Sequence, residues 1–244
     1  MSIISFEDAW ACLRLLPQGN LGVAVITACS SSKMAPKHVN ALSWSDIRGA
    51  PEHLARRTEE LKRYMRAAED LYSGQHHLRL MRGVRAFRRS GRGALTLKIV
   101  SAGFGVVDGA TELPPYDESF SMRSSAWINN RAEDLEIPQA ANAFLTRRET
   151  LKLFCLGDDY YEACAFDWKL HHHSNEHSVV FCSRKYAATV PDMANLHVVL
   201  CSQGQASKYK LAMVALKGEL GGVLLERLAA EALPKEERKV IDGP

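Results

Sequence analysis

The sequence predicts an α/β fold, a three-layer sandwich built around a mostly parallel central sheet. Three observations point there. Five short apolar runs recur along the 244 residues, and they are continuous rather than alternating, as in strands covered on both faces. Helical stretches lie between them, the strand–helix–strand order of parallel sheets. No linker divides the chain, and a hydrophobic content of 46% is enough to fill one large core, so residues 1–244 read as a single domain.

The expected strands are Leu21–Cys29, Leu95–Ser101, Leu151–Leu156, Ser178–Cys182 and Leu196–Cys201, all rich in Val, Ile and Leu. A first helix is expected over Pro51–Ala68, with Pro51 at its start and Leu54, Leu61 and Met65 in helical spacing. A second covers Leu78–Arg89, where Leu80, Val84 and Phe87 share one face and Arg82, Arg85 and Arg89 share another. A third runs from Lys208 to Ala232, with a break expected near Gly218–Gly222, and the charged tail from Pro234 to Pro244 is expected to fray.

Composition narrows the functional classes. No apolar run reaches the roughly 20 residues that span a bilayer, and MSIISFEDAWACL has no basic leader, so a cytoplasmic protein is expected. Six cysteines, at positions 12, 29, 155, 164, 182 and 201, include four in or at the end of apolar runs, as for reduced thiols used as small hydrophobes. The sequence contains no C-x-x-C pair, which argues against a zinc knuckle, and no cofactor is expected. Net charge is +3, but between Arg56 and Arg92 eleven Lys/Arg face four Asp/Glu, an asymmetry that suits an anionic partner.

Each apolar run ends in a small or polar cluster: Cys29-Ser30-Ser31-Ser32-Lys33, Ser101-Ala102-Gly103-Phe104-Gly105, Gly157-Asp158-Asp159-Tyr160, Ser183-Arg184-Lys185-Tyr186 and Ser202-Gln203-Gly204-Gln205. Ligands of open α/β sheets bind outside the carboxyl ends of the strands, so the five clusters are expected to surround one crevice. Ordinary βα turns favour the same residues, and only the five together argue for a site. Hydroxyls and amides followed by Lys33 make an anion cradle over Cys29–Lys33. It lacks the G-x-x-x-x-G-K spacing of a nucleotide-triphosphate loop. Cys29 itself reads as a strand-end thiol before it reads as a nucleophile.

The segment SAGFGVVDGATELPPYDESF, residues 101–120, is the least ordinary. Gly103 and Gly105 allow close approach of a ligand, Pro114 and Pro115 stiffen the loop, and Tyr116, Asp117 and Glu118 follow on a rigid arm. An aromatic beside two carboxylates is the equipment for glycosidic cleavage, the acids stabilising a sugar cation or orienting water. The same residues also fit a Pro-rich surface loop with solvated acids. The arginine face of Arg82, Arg85 and Arg89 suits a phosphate backbone, or simply solvent. The run His171-His172-His173 with His177 reads as a polar loop rather than a metal site.

These motifs, CSSSK, LYSGQHHLRLMRGV, SAGFGVV…LPPYDESF and LKGELGG, resemble a group of bacterial proteins distantly similar to the peroxide-stress DNA-binding proteins and to the uracil-DNA-glycosylase-like superfamily. Within it the resemblance points to the phage-defence DNA glycosylase that removes glucosylated hydroxymethylcytosine. It spans Leu21 to Leu228 and is carried mainly by the residues before Leu151. It implies a glycosylase fold with Cys29–Lys33, Ser101–Gly105 and Tyr116–Glu118 around the pocket. The water-activating motif and His-Pro-Ser loop of uracil glycosylases are absent, which leaves the catalytic residue open.

On these grounds the expected activity is hydrolysis of the N-glycosidic bond of a modified cytosine flipped out of duplex phage DNA, in antiviral defence. Asp117 is expected to stabilise the sugar cation or position water, with Glu118 second. Phe104 or Tyr116 would stack on the base, and Ser31, Lys33 and Arg123 would hold phosphate or an attached sugar, with Gln203 also at the pocket. The alternatives are a non-catalytic DNA-binding protein and a nucleoside deoxyribosyltransferase or glycohydrolase.

Overall fold

A computed structural model describes residues 3–17, 19–171 and 176–231. Its strands are β1 (Ile3–Ile4), β2 (Leu21–Ala28), β3 (Arg66–Ala67), β4 (Gly93–Ser101), β5 (Gly105–Asp108), β6 (Glu112–Leu113), β7 (Leu151–Cys155), β8 (His177–Cys182) and β9 (Leu196–Leu200). Seven of these form the central sheet in the order β1-β9-β8-β7-β2-β4-β5, while β3 and β6 pair separately. Every neighbouring pair in the sheet is parallel except β4–β5. The five expected strands are all present, and the mostly parallel sheet flanked by helices is the architecture the apolar runs predict.

The helices are α1 (Phe6–Leu13), α2 (Trp44–Ile47), α3 (Pro51–Glu60), α4 (Ala68–Leu71), α5 (Gln75–Arg89), α6 (Ser125–Asp134), α7 (Ile137–Leu145), α8 (Asp158–Cys164), α9 (Arg184–Ala187), α10 (Gln203–Lys208) and α11 (Met213–Ala230). Alternation along β7 shows how the layers form, since successive side chains of a strand point to opposite faces. Phe154 meets Phe144 ring to ring at 5.4 Å on one side. On the other side, a Cβ on Gly221 would come within 2.6 Å of the Cys155 Sγ. Helices α6, α7 and α8 pack on the Phe154 side, and α5 and α11 on the other. One charged residue lies in this strand: Lys152 is wholly buried, but its ammonium donates to the Leu145 carbonyl at 2.7 Å and to Glu176 Oε2 at 2.8 Å. A buried charge so satisfied is tolerated where an unpaired one is not.

Three expected helices change their limits. The first, α3, ends at Glu60: Leu61 caps it, a 3₁₀ turn follows over Lys62–Tyr64, and β3 intervenes before α4. The second, α5, begins three residues before the expected Leu78. The third is interrupted ahead of its glycines and not at them. Lys210 adopts φ +54° between α10 and α11, and α11 continues unbroken through Gly218, Gly221 and Gly222. The frayed tail expected from Pro234 onward lies outside the described residues.

Those glycines are contact points. A Cβ on Gly83 would lie 2.2 Å from the Gly222 carbonyl oxygen, and one on Gly218 would lie 2.0 Å from that of His76. The two helices therefore touch backbone to backbone, and the conformational cost of helical glycine is offset by close packing. The contact holds the N-terminal turns of α5 and α11 side by side.

Connection order fixes where a ligand can enter. From β2 the chain crosses to β4 on one side and later returns to β7 on the other. That reversal leaves a crevice outside the carboxyl ends of β2 and β7. Gly83→Ala or Gly218→Ala should force α5 and α11 apart, costing about 1–3 kcal/mol of stability and lowering Tm by several degrees in thermal unfolding. An unchanged Tm in both variants would show that the helices are not held at this distance.

Candidate active site

A crevice of ≈ 540 Å³ occupies the switch point. Its walls are Ala28–Ser32 after β2, Gly74–His76 at the start of α5, Gly157–Tyr160 after β7, Ser183 after β8, Cys201 after β9, the α11 residues Met213, Val214 and Lys217, and Ser121. Three of the five strand-end clusters thus contribute, the fourth through Ser183; the fifth, Ser202–Gln205, stays outside, and only Cys201 ahead of it reaches the wall.

The β2 loop and α5 are tied together. Ser30 Oγ accepts from the Gly74 amide at 3.2 Å and donates to the Ser32 carbonyl at 2.6 Å. Gly74 is required there, since a Cβ would meet that of Ser30 at 2.6 Å. No side chain caps either α5 or α11. Both helices turn amide-rich, partially positive N-termini toward the crevice, an environment that favours an anion.

The aspartates opposite differ in their surroundings. Asp158 is held: Ser183 Oγ donates to its Oδ2 at 2.6 Å, and Lys217 Nζ lies 3.3 Å from Oδ1 while donating to the Leu156 carbonyl at 2.8 Å. Asp159 lines the same crevice and makes no hydrogen bond or ion pair among the described residues. One carboxylate is locked and the other is free to meet a ligand.

His76 forms a further wall. Its Nε2 is 2.9 Å from Thr27 Oγ1, and its pKa is pulled down to about 3, first by burial and then by the nearby charges of His77 and Lys217. Below the crevice, Cys29 Sγ lies 3.1 Å from the Tyr160 hydroxyl, whose pKa burial raises well above the ordinary tyrosine range.

The remaining expected site residues lie elsewhere. Ser101 is buried: its Oγ accepts from the Gly103 and Phe104 amides at 3.2 and 3.0 Å and is 2.7 Å from the Tyr116 hydroxyl. Tyr116 is a core residue, bonded to the Tyr72 hydroxyl at 2.8 Å and edge-on to Phe104. The β4 cluster is used up by the hairpin to β5, where Gly105 takes φ +74° and Ser101 pairs with Gly105. Lys33 turns away from the crevice, donating to the Glu118 carbonyl at 2.8 Å and lying 4.2 Å over the Tyr116 ring, and burial lowers its pKa.

Neither expected catalytic acid lines the crevice. Asp117 is exposed, its amide bonded to the Leu42 carbonyl at 2.8 Å, and Glu118 Oε2 lies 3.7 Å from Arg123. Arg123 stacks on Trp127 at 4.7 Å, and Gln203 is exposed at the start of α10. The arginine face of α5 is largely engaged within the chain: Arg82 pairs with Glu219 and Glu226, and Arg85 with Asp70, whereas Arg89 has no acidic partner among the described residues.

Of the histidine run, His171 bonds Ser178 Oγ at 2.7 Å, and His177 lies 3.3 Å from the ring of His197. His172 and His173 lie outside the described residues. Among the described residues no three His, Cys, Asp or Glu side chains stand close enough to hold a metal.

The residues that sequence reasoning left without a role are Asp158, Asp159, His76 and Lys217. A signal existed for the aspartates, because two acids directly after a strand favour the first turn of a helix. No family model matches this chain, and no curated protein matches it.

The His76 environment predicts a pH dependence. Unfolded histidine protonates near 6.5, native His76 only near 3. Between those values the unfolded state binds more protons, so stability falls as pH drops through this window, by up to about 1.4 kcal/mol per unit from this residue. Urea midpoints measured from pH 7 to pH 4 should fall steeply in the wild type and more gently in His76→Gln. Parallel slopes would contradict the assignment.

Proposed function

We propose that this protein is a DNA glycosylase that hydrolyses the N-glycosidic bond of a modified base, a glucosylated hydroxymethylcytosine of phage DNA, in antiviral defence. The observation that carries the reading is the pair of aspartates in a crevice at the switch point, one locked by a lysine and a serine and one free. A volume of ≈ 540 Å³ falls in the range of small-ligand sites and leaves room for a base bearing a bulky substituent.

The chemistry follows from those charges. As the bond between C1′ and the base nitrogen breaks, its electron pair leaves with the base and positive charge develops on the sugar. The Asp158 carboxylate, held by Lys217 and the Ser183 hydroxyl, stabilises that charge. Asp159 accepts a proton from the attacking water, whose oxygen bonds to C1′, and that proton is passed on to the departing base. Catalysis is assigned to these two rather than to Asp117 and Glu118 because only these two line the crevice. The amides at the starts of α5 and α11, with Ser31 and Ser32, suit a phosphate or an attached sugar.

A DNA substrate is supported by the rim. Met122 is 99% exposed at φ +63°, between crevice-lining Ser121 and the cation of Arg123. Apolar wedges of this kind fill the gap left by an extruded nucleotide. A second reading, hydrolysis or transfer on a free nucleoside or nucleotide, is favoured by the pairing of Arg82 and Arg85 inside the molecule, which reduces the charge left for a duplex.

Asp159→Asn should lower release of free base from glucosylated phage DNA at least about 100-fold, with DNA affinity nearly unchanged and Asp117→Asn close to wild type. Mass spectrometry of base released from normal, hydroxymethylated and glucosylated DNA decides it. Full activity in Asp159→Asn would remove that residue from the mechanism, and release only from free nucleosides would favour the second reading.

A further inference from the structure

We infer that His76 is a fixed hydrogen-bond acceptor of the crevice, presenting a bare Nδ1 that selects ligands carrying an N–H or O–H donor at that point. The inference deepens the proposed function and rests on its reading of the crevice as a nucleobase site.

Proton inventory carries the argument. A threonine hydroxyl has one hydrogen to give. The Thr27 hydroxyl stands 3.3 Å from the Cys155 carbonyl, which only accepts, and 2.9 Å from His76 Nε2, so giving its hydrogen to the carbonyl and a lone pair to Nε2 is the arrangement that makes both bonds. In that arrangement Nε2 carries the ring proton, which leaves Nδ1 without one in the neutral imidazole. Nδ1 has no partner among the described residues, and it is not among the buried polar atoms that lack one, so it is accessible on a residue that lines the crevice. Adding a second proton is opposed by burial and by the charges of His77 and Lys217, and only the Cys155 carbonyl favours it.

Its neighbours could not impose the same choice. The hydroxyls of Ser31 and Ser32 rotate to give or to accept, and the amides of α5 and α11 only give. Asp158 and Asp159 accept, but as charges drawn to a cation or to water. A neutral group that only accepts discriminates between ligands of one shape. An amino-bearing base edge meets it with a hydrogen bond, while the oxo counterpart sets two acceptors face to face and leaves both unpaired. Preference for the amino partner of such a pair should be roughly tenfold or more.

Two measurements test it on the intact chain. Nitrogen-15 spectra of the histidines should report the Nε2–H tautomer for His76, unchanged from pH 8 to pH 5. Titrations with adenosine against inosine, and cytidine against uridine, should show the amino member of each pair bound more tightly. His76→Phe should erase that preference, and His76→Asn, whose Oδ1 reaches the place of Nδ1, should restore some of it. A proton on Nδ1, equal affinity within the pairs in the wild type, or a preference that survives His76→Phe overturns the role of His76 while leaving the glycosylase reading standing. Failure of every nucleoside to bind counts against both. Should His76→Phe not fold, the wild-type tautomer and wild-type preference still decide.

Discussion

The backbone contact between α5 and α11 is the constraint on which the site depends. Gly83 against Gly222, and Gly218 against the His76 carbonyl, bring two helices closer than any side chain would permit. Because α5 leads into β4 and α11 comes after β9 and α10, their closeness places two uncapped N-termini over the ends of β2 and β7. His76 and Lys217 are carried to the crevice by the same contact. Arg79 and Arg82 reach across to Glu219 and Glu226 and fix the register. Partly exposed ion pairs of this kind add little stability, about 0–1 kcal/mol each, so their value lies in alignment. Two arginines of the basic segment, Arg79 and Arg82, thus form half of an internal clamp.

A second polar element organises the other side of the β2 loop. The hydroxyls of Tyr72, Tyr116 and Ser101 form a buried chain, and Ser101 also receives two amides of the β4–β5 turn. Each member is satisfied by another, which is the condition for keeping hydroxyls in a core. Lys33 lies over the Tyr116 ring and reaches the Glu118 carbonyl. The stiff segment around Pro114 and Pro115 therefore anchors the base of the crevice loop. It delivers a tyrosine to the core and does not aim carboxylates at a ligand.

How much was legible in the sequence follows from these two facts. The apolar runs announced the strands because central parallel strands are buried on both faces, and every residue of β7 is buried. Strand β5 gave no such signal: it is a four-residue, partly exposed return whose pairing depends on Gly105 turning the chain at φ +74°. Helix α8 was hidden because Gly157-Asp158-Asp159 has turn composition, although the same acids suit a helix start. The glycines of α11 looked like a break because a sequence shows their flexibility but not the partner helix. Residue types at the site were readable, whereas the choice between the two acidic pairs was made by the β4–β5 hairpin, a tertiary event.

Two adjacent aspartates on one helical turn would ordinarily be redundant, and their different partners make them complementary. Asp158 commits both oxygens to Ser183 and Lys217, so its charge is fixed in place and direction. Asp159 keeps its lone pairs for whatever enters the crevice. Environments that differ this way allow one carboxylate to act as a standing charge while its neighbour exchanges a proton. His76 extends the division of labour, since its burial keeps it neutral where a third charge would disturb the balance between Lys217 and Asp158. The crevice thus combines a fixed carboxylate, a free carboxylate and a neutral imidazole in one wall-to-wall space.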